Sequence, residues 1–94
     1  MKSIMSNRRE CYLCGMKSQL HRHHIFFGNP GRRISEEEGC WVYLCGVHHN
    51  LGNNSVHKNR VLDLQLKETC ERQWILVNNS TIDDFRIRFG KSYL

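Results

Sequence analysis

The chain has 94 residues and a formal net charge of +5, and it contains five cysteines and six histidines. So small a domain removes proportionately little surface from water, and it needs disulfides, a metal or a partner chain to stabilise its core. The odd cysteine count argues against a fully paired disulfide framework, while the basic charge favours a polyanionic partner such as nucleic acid.

Residues 1–10 form a polar, basic segment that contains Arg8 and Arg9. The segment has no apolar run long enough for a signal peptide, and no later segment approaches the length of a membrane span. We therefore expect a cytoplasmic protein with reduced thiols and no membrane partner. The segment itself is expected to be a flexible basic lead.

The first structured elements are predicted to be a metal-binding knuckle and two strands. Cys11 and Cys14 lie two residues apart and are followed by Gly15, a geometry suited to holding one metal ion. The stretch "QLHRHHIFF" (19–27) predicts a strand, "GNPGRR" (28–33) a loop, and "CWVYLC" (40–45) a second strand. An antiparallel hairpin follows from this order.

The rest of the chain is predicted to be helical. A helix could begin after Cys45, but Gly52, Asn53 and Asn54 would keep it short. Apolar residues at helical spacing predict a longer helix over 56–75. A last helix, "IDDFRIRF", has Ser80 or Thr81 as its N-cap and ends at Gly90. The prediction is one α+β domain over 1–94, with the core in 11–57 and C-terminal helices in 58–94.

A second pair of potential metal ligands, Cys45 and His48, follows the second strand. Two such pairs at opposite ends of a hairpin can supply the four ligands of a closed tetrahedral zinc site. The alternative is that Cys45 is simply buried and His48 caps a helix. The spacing favours structural Zn²⁺ on Cys11, Cys14, Cys45 and His48, and its binding energy would largely be folding energy.

The remaining histidines lie too close together in the sequence to be explained as residues of a hydrophobic core. His23 and His24 are neighbours on a strand and must face opposite sides, so one can bind a metal while the other faces the substrate. A histidine with a near-neutral pKa can accept a proton from water. His49 directly follows a zinc ligand, and this rigid position suits a second metal ligand. The alternative for each is an ordinary surface or hydrogen-bonded histidine.

The combination of C-x-x-C, "HHI" on a strand and "LC-x-x-HH" resembles the zinc-stapled branch of the HNH endonucleases. That family shares a ββα-metal unit, in which two antiparallel strands and a helix surround one catalytic metal. The resemblance covers residues 11–57. The longer run "RHHIFFGNPGRRISEEEG...VYLCGVHHN" is also similar to small phage-encoded HNH proteins, including relatives of the phage RecA-dependent recombination nuclease, which implies a host-cell cytoplasm.

The resemblance implies that His24 is the general base and that His23 and His49 bind the catalytic metal. Family helices place the third ligand four residues further on, at Asn53, but the surrounding glycine and asparagines should unwind a helix there. His57 is the competing ligand, and we favour it. The catalytic ion would be a divalent metal such as Mg²⁺, Mn²⁺, Ni²⁺ or Zn²⁺.

The chain departs from the family pattern before the second strand. The family's middle asparagine, which fixes the preceding loop by hydrogen bonds, should fall near Gly39 or Cys40. Neither residue can replace those hydrogen bonds, and this puts catalytic competence in question. Arg32 or Arg33 in the loop could instead hold the scissile phosphate by a bidentate contact. The alternative is a solvated loop arginine.

These features predict a metal-dependent DNA endonuclease of weak sequence specificity, acting in phage DNA recombination or processing. Its basic residues would position the DNA backbone without reading bases; they are Arg8, Arg9, Arg32, Arg33, Lys58 and Arg60. A recombination or packaging protein that directs cleavage is a candidate partner. Two alternatives are a catalytically weak zinc-binding adaptor for DNA binding or recombination, and a purely structural zinc-knuckle interaction module.

Overall fold

The computed structural model describes residues 1–94 and contains a two-stranded antiparallel sheet and three α-helices. Strand β1 spans Leu20–His24 and strand β2 spans Trp41–Cys45. Their register pairs Leu20 with Cys45 and His24 with Trp41. The predicted α+β class and antiparallel strand pair are confirmed, although β1 ends three residues earlier than predicted.

Helix α1, Gly31–Glu38, joins the two strands where the sequence predicted only a loop. Gly39 ends the helix in the left-handed region, at φ 73°, which favours glycine. The Ser35 hydroxyl donates to the Phe26 carbonyl at 2.7 Å and accepts from the Phe26 N–H at 3.1 Å, which fastens α1 to the chain leaving β1. The strands are therefore linked through a helix and not by a tight hairpin loop.

The chain after β2 forms one π-helical turn, Val47–Leu51, and then an irregular segment over 52–59. Helix α2 spans Arg60–Val77, so its predicted start at residue 56 is wrong. The Asn59 side chain accepts a hydrogen bond from the Leu62 N–H at 3.1 Å and sets the start of the helix. His57 consequently lies before α2 and not on it.

Helix α3, Ile82–Phe89, has the predicted bounds. Thr81 is its N-cap and forms a capping box with Asp84, because each side chain accepts a hydrogen bond from the other residue's N–H. Gly90 ends the helix in the left-handed region at φ 88°. Local capping residues thus mark both boundaries of α3.

The hydrophobic core lies between the sheet and helices α2 and α3. Phe26 packs against Phe85 and Phe89 with ring centroids 5.3 and 4.8 Å apart, and Trp74 contributes from α2. No helix is both long enough and apolar enough to cross a membrane.

The N-terminal segment, for which the sequence predicts flexibility, has its first residues against β2. The indole N–H of Trp41 donates to the Met1 carbonyl at 3.0 Å, and the Ile4 N–H donates to the Gly39 carbonyl at 2.9 Å. These two contacts hold the segment across the end of the sheet.

Candidate active site

Four potential metal ligands converge where the knuckle meets the π-helical turn: Cys11, Cys14, Cys45 and His48. The Cys14 and Cys45 sulfurs are 3.7 Å apart, and His48 Nδ1 lies 3.2 Å from the Cys45 sulfur and 3.7 Å from that of Cys11. Zn–S bonds of about 2.3 Å separate tetrahedral ligand atoms by about 3.8 Å. The cluster can hold a metal ion, and its donor set is compatible with zinc.

Backbone hydrogen bonds place these ligands. The Gly15 N–H donates to the Cys11 carbonyl and closes the knuckle, and the Tyr12 N–H donates to the Tyr43 carbonyl, both at 2.8 Å. Burial of Cys11 acts to raise its pKa, but hydrogen bonds from the backbone of Cys45 and of the knuckle lower this pKa to about 6. The Cys11 sulfur is therefore mostly thiolate at neutral pH, which is the form that binds metals.

A second cluster consists of His23, His49 and His57, with one nitrogen of each within 4.8 Å of the others. The Nε2 atoms of His49 and His57 are 3.1 Å apart. His23 is 2% exposed, and its Nε2 has no hydrogen-bond partner. A buried polar atom without a partner costs free energy, and a bound cation would satisfy it. The three imidazoles therefore also fit a metal ion.

The protonation states of His23 and His49 suit metal binding. Burial lowers the pKa of His23 to about 3, and the nearby His57 and His49 add to this effect. Burial, assisted by His57 and His21, lowers the pKa of His49 to about 4. Both rings are neutral at neutral pH and retain a lone pair for a metal.

His21, to which the sequence gave no role, extends the cluster. It lies two residues before His23 on β1, and its Nδ1 is 3.0 Å from Nδ1 of His49. A hydrogen bond at Nδ1 fixes the tautomer of His49 and leaves Nε2 free for a metal. The period of two along a strand was the signal that could have identified His21.

His24 faces the other side of β1, as strand alternation predicts. Its Nε2–H donates to a Glu36 carboxylate oxygen at 2.6 Å, and Arg22 donates to the second oxygen. Burial of Glu36 opposes ionisation, but the His24 hydrogen bond and the Arg22 charge outweigh it and lower the pKa of Glu36. An anionic Glu36 orients the imidazole and leaves Nδ1 as its proton-accepting nitrogen.

Sequence analysis missed Glu36 because it missed α1. The available signals were the acidic, helix-forming run "EEE" and the glycine that follows it. They were masked by the turn residues at 28–31, which favour a loop.

Side chains from both faces of β1 line one cavity. A pocket of about 220 Å³ is lined by both His24 and the three-histidine cluster; its lining residues are Arg22, His23, His24, Phe27, Arg32, His49 and His57. A wider cleft of about 650 Å³ shares His24 and Arg32 with it and extends along α1. A molecule in the small pocket can therefore contact a potential base, a potential metal site and a guanidinium together.

The remaining predicted residues differ in whether they line this pocket and in what they contact. Asn53 is exposed, whereas His57 belongs to the cluster. Arg33 forms an ion pair with Glu37 at 3.0 Å and lines only the wider cleft. Lys58 donates to the Leu51 carbonyl at 3.4 Å.

The other three predicted basic residues, Arg8, Arg9 and Arg60, are exposed. Arg60 is the first residue of α2, and Arg8 lies 3.7 Å from the carboxylate of Glu10. Arg9 lies with its guanidinium 5.3 Å from the centre of the Tyr43 ring. Among the predicted basic residues, only Arg32 lines the small pocket.

The loop before β2 is fixed without the family's asparagine. The Cys40 N–H donates to the Ser35 carbonyl at 2.8 Å, and the Cys40 carbonyl accepts from the Ile25 N–H at 3.0 Å. Helix α1 and the chain after β1 thus hold this loop through backbone groups.

Comparisons with family models, curated proteins and solved structures give no match. Function is therefore inferred from the chemistry and geometry of the chain's own side chains.

Proposed function

We propose that the protein is a metal-dependent DNA endonuclease that hydrolyses phosphodiester bonds with His24 as general base. The observation that carries this proposal is the shared pocket, in which the His24–Glu36 pair adjoins three imidazoles with an unpaired buried nitrogen. A base and a metal site side by side can together catalyse phosphodiester hydrolysis.

His24 takes a proton from water through Nδ1, while Glu36 stabilises the imidazolium that forms. The water oxygen bonds to phosphorus, the bond from phosphorus to the 3′ oxygen breaks, and the leaving oxygen takes a proton from solvent. Arg32 lines the pocket and can donate two parallel hydrogen bonds to the phosphate.

His23, His49 and His57 would hold the catalytic divalent metal. When bound there, the metal would stabilise negative charge on the phosphate as a Lewis acid. Three imidazole ligands suit Ni²⁺ or Zn²⁺ better than Mg²⁺, which prefers oxygen ligands. Among the candidate metals Mg²⁺, Mn²⁺, Ni²⁺ and Zn²⁺, we therefore expect Mg²⁺ to support cleavage least.

Structural zinc on Cys11, Cys14, Cys45 and His48 would stabilise the fold. The basic residues around the pocket support electrostatic, weakly sequence-specific binding of DNA. Because such binding selects no sequence, a recombination or packaging protein that directs cleavage in a host cell is a candidate partner.

A plasmid-cleavage assay tests the proposal with zinc-loaded protein and each of the four divalent metals. We expect His24→Ala to lower the cleavage rate by ~10²–10⁴-fold, the usual contribution of a general base, while the fold, zinc content and DNA binding persist. Arg72→Ala, an exposed substitution on α2, is the control and should cleave normally. A folded, DNA-binding His24→Ala protein that cuts at the wild-type rate would refute the role of His24.

The second candidate is a zinc-binding DNA or recombination adaptor with weak catalysis. The observation that favours it is the presence of Gly39 and Cys40 where the HNH pattern has its asparagine. An adaptor would bind DNA yet cut no plasmid with any of the four metals. A purely structural module would also cut no plasmid, and it would bind one metal ion per chain and no second one.

A further inference from the structure

The N-terminal segment and the outer face of the sheet enclose a second basic cavity, of about 590 Å³. Four basic side chains line it together with two aromatic rings; we name these residues the arginine–aromatic groove, and they are Lys2, Arg8, Arg9, Arg22, Trp41 and Tyr43. The other lining residues have neutral side chains, so the lining contains no carboxylate. Glu10 and Glu36 pair with Arg8 and Arg22 from outside the lining. The groove therefore favours an anionic occupant.

Two guanidinium groups in this groove lie over aromatic rings. The Arg22 guanidinium lies 3.8 Å from the centre of the Trp41 ring, and that of Arg9 lies 5.3 Å from the centre of the Tyr43 ring. Trp41 and Tyr43 contact each other edge to face, with centroids 5.2 Å apart. These cation–π contacts favour one position of each guanidinium before a ligand arrives, which lowers the entropic cost of binding.

The groove and the proposed catalytic pocket adjoin at one shared lining residue. Arg22 lines both cavities, and it donates to Glu36, which accepts from His24. The strand register also places Trp41 opposite His24. A chain of phosphates in the groove would therefore lead towards His24.

We propose that the arginine–aromatic groove binds an unpaired strand of nucleic acid that flanks the cleavage position; the inference rests on the proposed nuclease function. An unpaired strand offers phosphates to the guanidinium edges and free base faces to the guanidinium planes. In a duplex the base faces are stacked on one another, so only phosphates would contact the groove. The substrate class is thus DNA with a single-stranded segment.

Fluorescence anisotropy with the zinc-loaded full chain tests this, using a labelled 12-nucleotide oligothymidine and a 12-base-pair duplex without added divalent metal. We expect the single strand to bind more tightly. Arg9→Ala should weaken its binding roughly fivefold or more and reduce the log–log salt slope by about 0.7. Arg9→Lys keeps the positive charge but loses the planar guanidinium, so it should weaken binding while preserving the log–log salt slope.

Arg72→Ala is the matched control, since it removes one exposed positive charge from α2. Tighter binding of the duplex, or equal losses for Arg9→Ala and Arg72→Ala, would overturn the proposal. Competition by oligoglutamate as effective as that by unlabelled oligothymidine would also overturn it, because it would indicate a site for acidic peptides.

Failure of this inference and failure of the nuclease function are distinguishable. If the groove binds a single strand but the protein is not a nuclease, Arg9-dependent binding persists and no metal supports cleavage. If the protein is a nuclease but the groove does not bind the strand, cleavage depends on His24, and Arg9→Ala binds and cuts like Arg72→Ala.

Discussion

The two ligand clusters share one turn of chain but differ in almost every property. His48 lies beside three cysteine sulfurs, whereas its neighbour His49 lies beside three imidazoles, those of His21, His23 and His57. The first cluster has four ligands, the number of a closed structural site; the second has three and opens into a pocket. The difference teaches that one backbone turn can position ligands for two potential metal sites, of which only the second faces a pocket.

Removal of the metal from the four-ligand cluster should have the largest effect. Structural zinc in small domains contributes about 10–16 kcal/mol of apparent binding free energy, which is also folding free energy. We expect Cys14→Ser, or treatment of wild type with a strong chelator, to unfold the chain. Circular dichroism with zinc measured on the same sample checks this. A metal-free sample that keeps its helical spectrum would show that the fold does not need the cluster.

Loss of a ligand from the three-histidine cluster should act on metal binding and cleavage and not on the fold. His23→Ala removes a buried imidazole with an unpaired nitrogen, so the second metal should bind at least about 100-fold more weakly. Calorimetric titration with Ni²⁺ on zinc-loaded protein measures the loss. Unchanged Ni²⁺ affinity in this variant would remove His23 from the site.

His21→Ala should have a smaller effect on the same metal. Because His21 fixes the tautomer of His49 and does not itself belong to the three-ligand set, we expect a 10–100-fold loss of Ni²⁺ affinity. His21→Gln, which can keep a hydrogen bond to Nδ1, should recover part of it. Equal affinities for wild type and His21→Ala would contradict this role.

Asn59→Ala should have the smallest effect and should separate stability from metal binding. The substitution removes the N-cap of α2 next to His57, which costs about 1 kcal/mol of stability. Urea denaturation should show this loss, while the affinity for Ni²⁺ stays near wild type. A large loss of affinity would mean that the α2 terminus holds His57 in place.

Features set by neighbouring residues could be predicted from the sequence. The Cys-x-x-Cys and Cys-x-x-His pairs, strand alternation at His23 and His24, and the Thr81 cap each depend on a few consecutive positions. The prediction of α3 needed no information from the rest of the fold.

Features that depend on the path of the chain could not be predicted. Glu36 required helix α1, whose formation the turn residues before it concealed. Whether Asn53 or His57 lies beside His23 and His49 depends on how the irregular segment 52–59 returns to the π-helical turn. The stacking of Arg22 on Trp41 joins two strands, and a single sequence carries no signal for such a pair.

The most direct test of the difference between the two clusters is a count of bound metal per chain. Zinc-loaded protein, freed of weakly bound ions by gel filtration, is titrated with Ni²⁺ and analysed by native mass spectrometry. The account predicts one retained zinc, one exchangeable Ni²⁺, and loss of only the Ni²⁺ in His23→Ala. A single metal per chain at saturating Ni²⁺, in wild type and variant alike, would contradict it.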